Sequence, residues 1–432
     1  MKIRIDNGFI ISADVNDACY EGCVLVDGDT ILYAGPESLA PPFEADHVID
    51  AKGGIVAPGF VNTHSHIPMT LLRGYADDMN LQRWLAEKIW PAEAHLDEDA
   101  VYWGTMLGIA EMVAGGTTCF SDMYNFTDVI ARASNEAGIR ALIATAVLDI
   151  DGGGDRRLKT AEGLFDIVKD YPLVSAAIGP HAEYTVSPAM FEKIRDAALR
   201  LNARIHTHIS ETKLEHEDSL KRHGKTPIAL LESLGVMEAP VMAAHCVWVS
   251  DEDIEIMAGH GVGVMSCPGS NLKLGSGVAR TARMLEHGVT VSCATDGASS
   301  NNNLSMMEEM TLLSFLQKGV ERNPELIPAK TAVKTATFYG AKTLGMEQTI
   351  GSIEAGKQAD LIIIDTSGPR YCPRTDLLNH MVYSGSDADV SLTMVAGKVL
   401  YENGAITFGD IEEIKAGAQR CASRMINLAR GG

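Results

Sequence analysis

Long apolar runs, paired cysteines and basic clusters are what this 432-residue chain lacks. No stretch approaches the roughly 18 apolar residues of a membrane span, so a membrane is not an expected partner. The opening segment MKIRIDNGFIISADVND has no apolar run of the secretory type, and the expected compartment is the cytoplasm. The eight cysteines, Cys19, Cys23, Cys119, Cys246, Cys267, Cys293, Cys372 and Cys421, form no C-x-x-C pair and read as reduced, mostly buried thiols. Lysine and arginine number 36 against 57 acidic residues, a formal charge of −21, and no basic cluster interrupts that excess. Long-range repulsion excludes a nucleic-acid partner and favours a small-molecule substrate. Internal repeats, low-complexity tracts and long linkers are also missing.

What is present is an ordinary globular composition, 46% hydrophobic and 22% charged, in a chain longer than one typical domain. Residues 2–50 read as short β-rich runs broken by turn residues: IRIDNGFIIS, CVLVDGDTILYAG and HVIDAKG. From Gly54 the texture changes to apolar β runs separated by helical ones. GIVAPGFVNTH, ALIATAVLD, VSAAIGPHAEY, ARIHTHISE, APVMAAHCV, GVGVMSCP and TVSCATDG alternate with segments such as DAVYWGTMLGIAEMVAGG and DEDIEIMAGHG, which carry a 3.6-residue period and end in glycine. That alternation predicts an α/β fold, a parallel sheet covered by helices and closed into a (β/α)₈ barrel. After about Gly351 the β texture returns in ADLIIIDTSG and VSLTMVAGKVLYENG, followed by the helical IEEIKAGAQRCASRMINLA. The expected organisation is a small β-sandwich domain with a C-terminal helix, from residues 1–57 plus 352–432, flanking a barrel over residues 58–351. A homo-oligomer is compatible with this, in a state the sequence does not set.

Polar residues collect at the predicted C-terminal strand ends, where barrel active sites lie. His64 and His66 stand at i, i+2 on one strand and share a face. Alone, an H-x-H is either a metal-binding pair or two satisfied polar histidines. His208 ends ARIHTH, His245 ends VMAAH and Asp296 ends TVSCATD. A third imidazole and a carboxylate complete a ligand set that leaves a position for water, which a catalytic site for a divalent ion requires. His206 shares the face of His208 but lies two residues deeper, as a core histidine or a support to a ligand. Glu211 follows His208 at the third position, either as a carboxylate beside an activated water or as a loop glutamate starting a helix. Trp84, Trp90 and Trp103, with Met69 and Leu72, offer an apolar wall or plain helix packing.

PGFVNTHSH, HTHISE, AAHC and TDGASSNN, in this order and at these separations, are similar to the amidohydrolase superfamily, and GSIEAGKQADLIIID resembles its return to the β-sandwich. The resemblance covers essentially the whole chain. LLRGYADDMNLQRWLAEKIWPAEAHL, GPHAEYTVSP and SCPGSNLKLGSGVA further resemble the branch of 5′-methylthioadenosine/S-adenosylhomocysteine deaminases, whose general frame triazine hydrolases and guanine deaminases share. The resemblance implies that His64, His66, His208 and Asp296 hold one divalent ion, usually zinc. It implies Glu211 as the proton shuttle, Asp296 as a second proton acceptor, and His245 as the residue that orients the attacking hydroxide or polarises the reacting centre. Glu93, in PAEAHL, matches the carboxylate that accepts ribose hydroxyls, and His181, in GPHAEY, a further substrate contact.

The branch's adenosylhomocysteine binders use two arginines on the amino-acid carboxylate. Along ATAVLDIDGGGDRR the second falls on Arg157, beside Arg156, whereas the first aligns on Thr145. Loss of one charge-assisted contact removes about 1.5–3 kcal/mol of carboxylate binding. The implied reaction is therefore deamination of an adenine nucleoside, with a neutral 5′-substituent preferred. Hydrolysis of another substituted heterocycle (a triazine, guanine or a pterin) and a metal-free module of the same fold are the alternatives.

Overall fold

The computed structural model describes residues 1–431, and position 432, the last of the expected small β-domain, lies outside the described residues. Alternating apolar side chains build a first set of strands, β1 (Lys2–Ile11), β2 (Cys19–Asp27), β3 (Thr30–Gly35), β4 (His47–Asp50) and β5 (Ile55–Pro58). A register shift between Ile5 and Gly8 changes the parity of β1, so that Ile10 joins Ile3 and Ile5 in one buried cluster with Val24 and Val26.

Eight parallel strands follow: β6 (Phe60–Ser65), β7 (Thr117–Tyr124), β8 (Arg140–Val147), β9 (Val174–Pro180), β10 (Ile205–Ile209), β11 (Val241–His245), β12 (Gly263–Ser266) and β13 (Thr290–Cys293). Each pairs with the next in chain order. Helices separate them, among them Glu98–Ala114, capped by the Asp97 side chain, and Asp251–His260, capped by Ser250 and stopped by Gly261 at φ 65. The two ends of this sheet meet after β13. Asp296 N–H donates to the His64 carbonyl at 3.0 Å, and Thr63 Oγ1 donates to the Cys293 carbonyl at 2.9 Å. Asn62 Nδ2 donates to Thr295 Oγ1 at 2.7 Å while Thr295 N–H returns to Asn62 Oδ1 at 3.0 Å. This is the expected barrel, and its closure sets His64 beside Asp296.

The chain then returns to its start through β14 (Leu361–Ile364), β15 (Val390–Val395), β16 (Lys398–Glu402) and β17 (Ala405–Ile406). Antiparallel pairing of β14 with β5 joins both chain ends into one ladder, β17-β16-β15-β14-β5-β1-β2-β3, with β4 on β1. This is the small second sheet that the two β-textured ends predict. A buried bidentate pair, Arg140 to Asp360 at 3.0 Å through both nitrogens, ties the start of β8 to the entry of β14. No helix among the described residues is long and apolar enough to cross a membrane.

Candidate active site at the strand ends

His64 and His66 leave β6 on one face, and His206 and His208 do the same on β10, because side chains two apart along a strand share a side. His245 and Asp296 reach the same point by turning sharply. Their φ values are 70 and 62, in the left-handed region that side chains other than glycine enter at a cost of about 1 kcal/mol or more. The hydrogen bond from Asp296 N–H to His64 holds one of these turns. Gly297 comes next, and a Cβ there would lie 3.2 Å from His66 Cβ and 3.1 Å from Met69 Sδ, so a larger residue would push the two walls apart.

The tautomers of the imidazoles follow from their outer partners. A carbonyl only accepts, so His66 Nδ1–H donates to Met123 O at 2.6 Å and His208 Nδ1–H donates to His181 O at 2.7 Å. His64 Nδ1 lies 2.7 Å from His206 Nε2, and His206 Nδ1 lies 3.2 Å from Ser121 Oγ, a relay that ends on a hydroxyl. The Nε2 lone pairs of His66 and His208 therefore point inward, and that of His64 joins them when its Nδ1–H donates to His206. Burial is the first cause that lowers His64, to about 4, and His208, well below its ordinary value, so these two are neutral donors at pH 7.

Nε2 of His66 and His208 are 3.3 Å apart, and Asp296 Oδ1 lies 3.6 Å from His64 Nε2 and 3.4 Å from His66 Nε2. Two ligands about 2.0–2.1 Å from a tetrahedral ion stand about 3.3 Å from each other, so these spacings fit one divalent ion. His64 Nε2 is fully buried yet has no hydrogen-bond partner, a vacancy costly for an imidazole unless an ion takes the lone pair. Asp296 is kept ionised. Burial alone would raise its carboxyl, but the close imidazoles of His64 and His66 hold it well below the usual carboxylate range. Its Oδ2 accepts from Ser270 Oγ at 2.6 Å and Ser300 Oγ at 2.9 Å, which orients Oδ1 toward the histidines.

Glu211 and His245 stand beside this cluster. Glu211 is buried, not a solvated loop residue, with Oε2 3.8 Å from His245 Nε2 and Oε1 accepting from Ser276 Oγ at 3.4 Å. Burial raises its carboxyl above the ordinary value, with Asp296 adding to the rise and His245 opposing it. Burial works against protonation of His245, but Glu211 and Asp296 raise it overall. Asn271 Oδ1, 2.9 Å from His245 Nδ1, sets the ring so that Nε2 faces Glu211.

One cavity joins these groups to His66, Trp84, Trp90, Glu93, Tyr124, Arg157 and His181. Glu93 closes the short helix Trp90–Glu93 and accepts from Tyr124 OH at 2.5 Å. His181 sits in the wall, its Nδ1 2.9 Å from Thr185 Oγ1, with burial lowering it to about 3. Trp84, Trp90 and Met69 line the cavity, whereas Leu72 is buried elsewhere and Trp103 packs its ring against Gly417 and donates to Asp99 at 3.0 Å. Thr145 is buried against Thr127 Oγ1 at 2.7 Å and does not line it. Arg157 does, but its fork is occupied: Nη1 and Nη2 each donate to Asp151 at 2.6 Å.

Sequence reasoning did not single out Tyr124, Asn271, Ser270, Ser300, Ser276 or Asp151. Only the place of Tyr124 at the end of β7 offered a signal, since most of these residues act through a partner remote in sequence. The position of His206 yields a prediction. Replacing it with Ala frees His64 Nδ1 and should weaken metal retention about 10- to 100-fold, as loss of an outer-sphere partner typically does. Competition with a chelator measures this, and unchanged retention overturns it.

The sequence profile of the amidohydrolase family matches residues 55–400. A 5-methylthioadenosine/S-adenosylhomocysteine deaminase from Dictyoglomus thermophilum is 46% identical over 88% of this chain and 90% of its own length. Among solved structures, an adenosine deaminase from Xanthomonas campestris with bound zinc superposes with a TM-score of 0.95 at 35% identity, covering 98% of both chains. An atrazine chlorohydrolase from Arthrobacter aurescens complexed with zinc superposes with a TM-score of 0.90 at 25% identity, over 97% of this chain and 100% of the other.

Proposed function

This chain belongs to the amidohydrolase family, and we propose that it is a metal-dependent hydrolytic deaminase. It converts the 6-amino group of an adenine nucleoside to the inosine-type oxo group and releases ammonia. The observation that carries this reading is the convergence of three inward Nε2 lone pairs and Asp296 Oδ1 beside a buried Glu211–His245 pair. A free nucleoside rather than a nucleic acid suits a chain of charge −21. Eight free cysteines, six of them buried, support a reducing, cytoplasmic setting.

His64, His66, His208 and Asp296 would hold the ion, most suitably zinc given three imidazoles and one carboxylate. Bound there, it supplies Lewis acidity that makes a water acidic near neutral pH. Glu211 takes the proton of that water, with Asp296 as the second acceptor, and delivers it to the ring nitrogen next to the amino-bearing carbon. His245 Nε2 orients the attacking oxygen. Addition at the carbon and departure of the amino group as ammonia complete the exchange, with one water consumed per turnover. The tryptophan-lined wall at Trp84 and Trp90 excludes bulk water from the purine.

Glu93 Oε1 is held by Tyr124, which leaves Oε2 to accept ribose hydroxyls. Glu93→Gln is expected to raise KM for nucleosides roughly 10- to 100-fold, the worth of a charge-assisted hydrogen bond, while free bases change little. Equal effects on both classes would turn the reading toward a heterocycle without a sugar, such as a triazine or guanine. The Asp151 carboxylate already fills the fork of Arg157, and Thr145 offers no second guanidinium. This favours neutral 5′-substituents, as in 5′-methylthioadenosine, 5′-deoxyadenosine or adenosine, over S-adenosylhomocysteine. Ammonia release over a panel of 5′-substituted adenosines, free purines and triazines tests the whole proposal.

A further inference from the structure

Glu215 is a buried acid, 5% exposed, on the first turn of the helix Lys213–His223. The Thr212 hydroxyl caps that helix by accepting the Glu215 N–H at 3.2 Å. A glutamate at this position ordinarily reaches back to the N–H of the cap residue itself. Here the carboxylate reaches further. Oε1 accepts the Ser210 N–H at 2.8 Å and Oε2 accepts the Glu211 N–H at 2.8 Å. Ser210 lies at φ 50, in the left-handed region, so the chain turns sharply between His208 and Glu211. The Ser210 carbonyl is pinned from the other side by the N–H groups of Val247 at 3.1 Å and Trp248 at 2.9 Å.

This arrangement is costly. Burial and the neighbouring charge of Glu211 push the Glu215 carboxyl up to about 7, and its partners are backbone amides. Thr212 already supplies the helix cap, so holding the helix does not account for a buried second carboxylate. Both of its oxygens instead fix the peptide groups that aim Glu211 at His245 and the cavity. A strained turn with redundant restraint is what an exact side-chain direction requires.

We propose that Glu215 is a positioning residue for deamination, which holds the left-handed turn at Ser210 so that the Glu211 carboxylate stays in reach of the reacting ring. The inference rests on the proton-shuttle role proposed above for Glu211. Glu215→Gln keeps the side-chain volume but sets an NH₂ group against one of the two backbone donors. A displacement of about 1 Å at the shuttle lowers turnover about 100-fold, so kcat should fall about 10- to 100-fold while KM stays within about threefold. Bound metal should remain at one equivalent, and the melting temperature should move by no more than a few degrees. Glu215→Asp, too short to span both amides, should show the same split between kcat and KM.

A kcat within about threefold of the parent, a loss of rate that tracks loss of metal or a matching rise in KM, or failure of both variants to fold each overturns the inference. Glu211→Gln serves as the companion variant. If it turns over normally, the proposed function itself falls; if it is inactive while Glu215→Gln is normal, only the positioning role falls.

Discussion

Glu211→Gln is expected to lower kcat by about 10³- to 10⁴-fold, the upper range for a group that moves protons in the rate-limiting steps, with the metal retained. Glutamine preserves the shape and the contact with Ser276 Oγ, so the wall of the cavity stays intact. It cannot accept the proton of the attacking water or pass one to the ring nitrogen. No other carboxylate can take over both tasks. Asp296 is held ionised well below the usual carboxylate range and so carries no proton to deliver near neutral pH, while Glu93 is engaged with Tyr124. Glu211 differs because burial raises its carboxyl toward the range where it can both take and give a proton. Ammonia release and elemental analysis on the same sample check the prediction, and a near-parental rate overturns the assignment.

Asp296→Ala is expected to remove both the metal and the activity. The carboxylate is the single anionic member of the proposed set, and His66 and His208 alone would leave a neutral, incomplete pair beside His64. Retention should fall by more than the roughly 10- to 100-fold that outer-sphere losses produce. Because Asp296 N–H, not its side chain, bridges to His64 O, barrel closure survives and the variant should fold. Elemental analysis reads the first effect and ammonia release the second. Full metal with no activity would make Asp296 a proton acceptor only.

The barrel was legible because its signal is local. Runs such as ARIHTHISE and VMAAH carry the β texture and the turn that follows, and the parity of His206 and His208 follows from strand geometry alone. The candidate groups were legible for the same reason, since chemistry-bearing residues sit at strand ends. What was not legible is how each is held. Asp296 took its direction from a left-handed turn three residues past β13, and Leu72 and Trp103, near the cavity in sequence, packed away from it. Burial on a helix face looks the same in sequence whichever wall the face meets.

The sequence by itself determined the alternating architecture, the order of the strand-end histidines and the acidic balance that favours a small substrate, because period, residue type and charge are properties of short segments. Tertiary structure alone decided that β13 meets β6, so that His64 and Asp296 share a site. It also decided that His206 backs His64, that Asp151 occupies Arg157, and that Glu215 fastens the turn beneath Glu211. The first two of these are set by closure of the barrel, which fixes distances between residues remote in the chain. The others depend on loop conformations that no periodicity encodes.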